Sequence, residues 1–145
     1  MSRYLGHFAW VGVFVLVLVG CGGGEGPPTY VVTGKITIKG QPAKDILLTF
    51  SPVDPQGEPA IGVVDADGSY TLKTGINAKP GARPGKYKVV ITADTSKVDM
   101  SKAYAGASGP PKPPESPAPK EYENAKTSPK EVEVLAQSNT INIDI

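Results

Sequence analysis

Apolar positions along the chain follow two regimes. Residues 8–19 are an unbroken apolar run, whereas from Tyr30 onward apolar residues recur at every second position in short stretches punctuated by glycine and proline. Such alternation sends successive side chains to opposite faces of a strand. In the first stretch Val32, Gly34, Ile36 and Ile38 share one face and Val31, Thr33, Lys35 and Thr37 the other, until Gly40-Gln41-Pro42 breaks the pattern. Residues 46–50 predict a second strand, apolar on both sides, followed by a loop of turn formers over 52–59. Residues 60–64 and 69–74 flank Asp65-Ala66-Asp67-Gly68, a hairpin signal in which Gly68 takes the positive φ and Tyr70 and Leu72 point inward. Residues 86–93 form the clearest strand, with Tyr87, Val89 and Ile91 inward. Residues 131–135 bring Val132 and Val134 inward, and residues 140–145 bring Ile141, Ile143 and Ile145. No segment after the first apolar run carries a helical period. Seven short strands with turn signals between them predict an all-β fold, a seven-stranded β-sandwich.

Residues 94–129 interrupt this rhythm. Within them residues 109–119 carry too many prolines for a sheet interior, because each removes an amide donor. Two readings stay open: a solvated loop of polyproline character, and a presented recognition segment.

The first apolar run follows Arg3 and the amino terminus, the layout of an export signal. As a helix its twelve residues would rise about 18 Å, short of the ~30 Å hydrocarbon core of a bilayer. Leu18-Val19-Gly20-Cys21 resembles the lipobox of bacterial lipoproteins. The resemblance implies cleavage after Gly20 and a thioether between Cys21 and diacylglycerol, with fatty acylation such as palmitate. Residues 1–20 are then a signal peptide, 21–29 a lipidated cysteine with a Gly/Pro tether, and 30–145 the folded domain. Gly22 stands where an aspartate would mark inner-membrane retention, which favours the outer membrane, facing the periplasm or the exterior. The alternative is a cysteine that acts as a small hydrophobe in an ordinary signal or anchor helix. Cys21 is the one cysteine, so no intramolecular disulfide forms.

Composition narrows the chemistry. Fifteen Lys and Arg against fourteen Asp and Glu give no field that would recruit nucleic acid. His7 and Trp10, the single residues of their kinds, fall in the predicted leader. The remaining chain therefore lacks the side chains of an ordinary catalytic triad, a thiol–base pair or a typical zinc set. Asp65 and Asp67 have the spacing that opens an EF-hand loop, but Tyr70 stands at its glycine position and Ile76 at its closing glutamate position. Glu131 and Glu133 fit the solvent face of a strand, and Glu121 and Glu123 a charged loop. No catalytic residue, cofactor or metal ligand is expected. The expected partners are the membrane, through the lipid anchor, and an envelope protein or polymer. A carbohydrate or small-ligand module, with Tyr104 and Tyr122 as exposed aromatics, and a carboxylate-based hydrolase are the alternatives.

Thr33-Gly34-Lys35-Ile36, Gly40-Gln41-Pro42-Ala43, Asp67-Gly68-Ser69-Tyr70 and Pro84-Gly85-Lys86-Tyr87-Lys88-Val89 together resemble the carboxypeptidase regulatory-like domain. The tail from Thr127-Ser128-Pro129 to Asn139-Thr140-Ile141 looks like that of short bacterial lipoproteins carrying one such module. The resemblance spans nearly all of residues 30–145 and implies a transthyretin-like, Ig-like sandwich. It carries no zinc site, because in the carboxypeptidases that site belongs to a separate domain. Related hydroxyisourate hydrolases work through histidine and arginine, whereas here only Arg83 remains beyond the leader.

Overall fold

The computed structural model describes residues 26–97 and 114–145, arranged as two β-sheets that enclose one hydrophobic core. The strands in chain order are β1 Val32–Ile38, β2 Gln41–Pro42, β3 Ile46–Pro52, β4 Ala60–Val63, β5 Ser69–Thr71, β6 Lys73–Thr74, β7 Lys79–Pro80, β8 Gly85–Ala93, β9 Glu131–Val134, β10 Asn139–Thr140 and β11 Ile143–Asp144. The larger sheet runs β7-β6-β4-β3-β8-β9, all neighbours antiparallel. In the smaller sheet β1 is central, with β2 and β5 antiparallel to it and β10 and β11 parallel to it.

The alternation read from the sequence sets the core. Val32 and Ile36 come from the smaller sheet and Ile46, Leu48, Phe50, Val89 and Ile91 from the larger, all fully buried. Burial of each such side chain contributes about 1.5–3 kcal/mol. Phe50 meets Tyr70 and Tyr87 with ring centroids 6.3 and 6.0 Å away in tilted geometry, a preferred arrangement for aromatic pairs.

Each of the seven predicted stretches holds strand, but the eleven observed segments differ from them in four instructive ways. Lys39 and Gly40, with φ of 53° and 77°, form a two-residue turn that returns the chain as β2 where a simple break is expected. Lys79–Pro80 pairs with β6 as β7, between the predicted stretches 69–74 and 86–93. The stretch 69–74 divides at Leu72: β5 pairs with β1 and β6 with β4, so one extended segment crosses from sheet to sheet. Gly62 permits the crossing, since a Cβ there would lie 2.9 Å from Leu72 and 3.0 Å from the Thr71 carbonyl oxygen.

The stretch 140–145 divides as well. Its ends pair parallel to β1, and between them the Ile141 carbonyl lies over Gly34 and accepts the Tyr70 hydroxyl. The Asn142 side chain fills the gap in the ladder by accepting the Lys35 amide at 3.0 Å. Ile143 is fully buried, with Ile141 and Ile145 packed against the core.

The interruption over 94–129 ends in packed structure. Residues 114–119 lead through buried Ala118 into a 3-10 turn, Lys120–Glu123, whose Tyr122 is also buried. Beyond the end of β9, this segment serves the open edge of β8: Val89 donates its amide to Lys130 at 3.0 Å, and the Ser128 hydroxyl donates to the Val89 carbonyl at 2.5 Å. The carboxyl-terminal end of the proline-rich stretch is therefore a packed return, while residues 109–113 lie outside the described region. Tyr122 anchors that return and offers no exposed ring; Tyr104 also lies outside it.

Candidate functional site

The incoming chain is fixed first. Tyr30 and Ala82 exchange both backbone hydrogen bonds, at 2.8 and 2.9 Å. This close crossing requires glycine at 81: φ is +90°, and a Cβ there would stand 2.0 Å from the Tyr30 carbonyl oxygen. Residues 26–29, expected to be free tether, are thereby laid along the domain, and an added Cβ on Gly26 would lie 3.6 Å from the Arg83 guanidinium.

Beside this crossing opens a groove of about 1050 Å³. Its apolar part comes from β4, whose alternation is inverted: Ala60 and Gly62 face the core while Ile61 and Val63 face out, 44% and 52% exposed. Pro27 and Pro59 add further apolar surface. Lys73, paired with Ile61 across β4 and β6, and Lys79 supply cations, and Asp65 adds a carboxylate. Among the lining residues, the turn between β6 and β7 carries Ile76, which is fully exposed at its tip. Gly75 and Ala78 in this turn have φ of 73° and 50°, and the Ala78 amide donates to the Gly75 carbonyl at 3.1 Å. The buried Thr74 hydroxyl donates to the Gly81 carbonyl at 2.7 Å and ties the turn to the Tyr30 crossing.

Arg83 ends the groove. Its guanidinium pairs with Glu58 at 2.9 Å, both side chains being partly exposed, and its carbonyl accepts the Tyr87 hydroxyl at 2.8 Å. The Arg83 Nε is buried without a hydrogen-bond partner. Burial raises the Tyr87 hydroxyl pKa against the opposing pull of Arg83, so this phenol stays a neutral donor. What the groove offers chemically is an apolar floor with a charged rim, a surface suited to docking.

Of the described residues singled out from sequence, Asp65, Ile76 and Arg83 line this groove and the others stay apart from it. Cys21 and Gly20 lie outside the described residues. Asp67 closes its own turn, accepting the Ser69 amide at 3.0 Å and hydroxyl at 2.6 Å with Lys35 at 3.8 Å; the Ser69 hydroxyl chiefly holds its carboxyl below the usual range. Glu131 and Glu133 are exposed, with Glu131 paired to Lys88 at 3.4 Å, and Glu121 and Glu123 are exposed on their turn. No cluster of three or more His, Cys, Asp or Glu side chains suited to a metal occurs among the described residues. Among them, too, no helix is long and apolar enough to cross a membrane. The signal that marks the groove in the sequence is Ala60-Ile61-Gly62-Val63, where the small residues, not the bulky ones, keep the inward phase. Compared with family models, curated proteins and solved structures, the chain finds no match.

Proposed function

We propose that this chain is an exported lipoprotein, cut after Gly20 and acylated on Cys21, whose sandwich is a non-catalytic binding or structural module held at the cell envelope. The observation that carries the reading is the order of segments: a charged start, twelve apolar residues, Gly20-Cys21, a glycine-rich stretch, and then a domain whose first backbone pairing is at Tyr30. Anchoring through several acyl chains is stable, since each buried methylene adds about 0.8 kcal/mol. Gly22 after the cysteine supports the outer membrane. The two-sheet architecture and the turn motifs at Gly40, Gly68 and Gly85 support a transthyretin-like, Ig-like module of the carboxypeptidase regulatory-like kind. Its partner is an envelope protein or polymer.

The groove supports a second reading, an accessory module for a small ligand. Its lining holds no aromatic ring among the described residues, which weighs against sugars bound by stacking. Metabolic labelling with palmitate tests the main proposal. The full chain is expected to take up label and partition with membranes, and Cys21→Ser to do neither. An unlabelled wild-type chain, or a Cys21→Ser chain that keeps its label, contradicts it.

A further inference from the structure

The position of the groove relative to Cys21 has a geometric consequence that rests on the lipid-anchored reading. Gly26, which lines the groove, follows Cys21 by five residues. Five residues span at most about 18 Å even when fully extended. A diacylglycerol thioether holds Cys21 at the edge of the hydrocarbon, and the headgroup layer beyond that edge is roughly 5–8 Å thick. The groove wall at Gly26 is thus confined to within about 18 Å of the acyl chains, whatever path the intervening residues take.

The chemistry that the groove presents suits a lipid surface. Ile76 is the most exposed large apolar side chain of the described residues, and it projects from a tight turn fixed by the Ala78–Gly75 hydrogen bond. Lys73 and Lys79 stand on the strands at either end of that turn, where long cationic side chains reach phosphates while their stems cover apolar surface. Of the two carboxylates in the groove, Glu58 is occupied by Arg83, leaving Asp65 as the opposing charge. Ile61 and Val63 continue the apolar surface inward from the turn. Tethering makes the contact intramolecular, so a single apolar tip with two flanking lysines is held at high effective concentration.

We propose that the groove faces the membrane that carries the anchor, with Ile76 seated among the lipid headgroups and Lys73 and Lys79 on their phosphates. The occupant of this surface is the bilayer, and a protein or polymer partner meets another face of the sandwich.

The test uses the full acylated chain in vesicles of phosphatidylcholine and phosphatidylglycerol. Because the sequence has one cysteine, acylation of Cys21 leaves Ile76→Cys as a unique thiol for a polarity-sensitive fluorophore. Glu133→Cys, exposed on β9 at the opposite edge of the larger sheet, is the reference. Both positions are exposed, so neither change disturbs the core. Lipids brominated on their acyl chains are expected to quench the label at 76 at least about threefold more than at 133, consistent with a group buried ~5–10 Å into the interface. Equal quenching at the two sites overturns the orientation, as does shielding at 76 that arises only when envelope extract is added. The intact mass of the same preparation separates the two proposals: an unacylated Cys21 removes both, whereas acylated Cys21 with equal quenching removes the orientation alone.

Discussion

Replacing Gly34 by alanine probes the junction that joins both ends of the domain. A Cβ at this position would lie 1.9 Å from the Ile141 carbonyl oxygen, 2.7 Å from its carbon and 3.0 Å from the Tyr70 hydroxyl. The first two are backbone atoms, held by the Ile141 amide donating to the Thr33 carbonyl at 2.8 Å and by Asn142 accepting the Lys35 amide at 3.0 Å. They cannot yield without opening the pairing of β10 and β11 with β1. Overpacking of this kind costs about 1–3 kcal/mol, and displacing the Tyr70 hydroxyl from the Ile141 carbonyl costs about 1 kcal/mol more. A loss of about 2–4 kcal/mol from a total near 5–15 kcal/mol corresponds to a fall in Tm of roughly 8–16 °C for a domain of this size. Urea unfolding followed by circular dichroism measures it. Gly40→Ala is the control: no atom lies within 4 Å of its Cβ, so only its φ of 77° matters, at about 1 kcal/mol. Tyr70→Phe removes the hydroxyl alone, and the Gly34→Ala/Tyr70→Phe pair is expected to lose less than the sum of its parts. A Gly34→Ala chain within about 0.5 kcal/mol of wild type, a change typical of neutral surface sites, would refute the close approach.

Three further outcomes are expected. Ala78→Gly relieves a residue at φ 50° and raises stability by up to about 1 kcal/mol in the same urea assay; a lower midpoint would count against the strained turn. Ser128→Ala leaves the Val89 carbonyl short of its buried donor, costs about 1–2 kcal/mol, and speeds proteolysis after Lys120 and Lys126, whereas unchanged cleavage would show that the segment is held by other means. At high pH, burial raises the hydroxyl pKa of Tyr70 and of Tyr87 above the ordinary value, so the unfolded chain ionises first. Their contribution is whole below about pH 10 and declines as pH rises toward the folded values, and tyrosinate absorbance should therefore include a step that coincides with loss of the circular-dichroism signal. Tyr70→Phe should shrink that step.

Much of the sandwich is legible in the sequence because its central strands obey the period of two. Tyr87, Val89 and Ile91 sit where alternation places them. The departures arise where a tertiary constraint outweighs the local pattern. Leu72 is inward as expected, but nothing in 69–74 announces that its two ends serve different sheets. Ile141 and Asn142 read as one strand with their neighbours, although a close approach at Gly34, over a hundred residues away, diverts the backbone between them. The groove was hidden for a related reason: in β4 the bulky residues hold the outer phase, and Ile76, read as the failed closing position of a calcium loop, becomes its exposed tip. Arg83, the single arginine after residue 20, has a local role, pairing with Glu58 and receiving the Tyr87 hydroxyl. The proposed lipid attachment at Cys21 rests on chemistry alone, since a thiol and a small neighbour leave no imprint on strand pattern.

The most direct test of the central claim is the intact mass of the full chain extracted from membranes of a bacterium that expresses it. A chain that begins at Cys21 and carries a diacylglyceryl thioether is the predicted result. A free thiol at Cys21, or a chain still bearing residues 1–20, would contradict it.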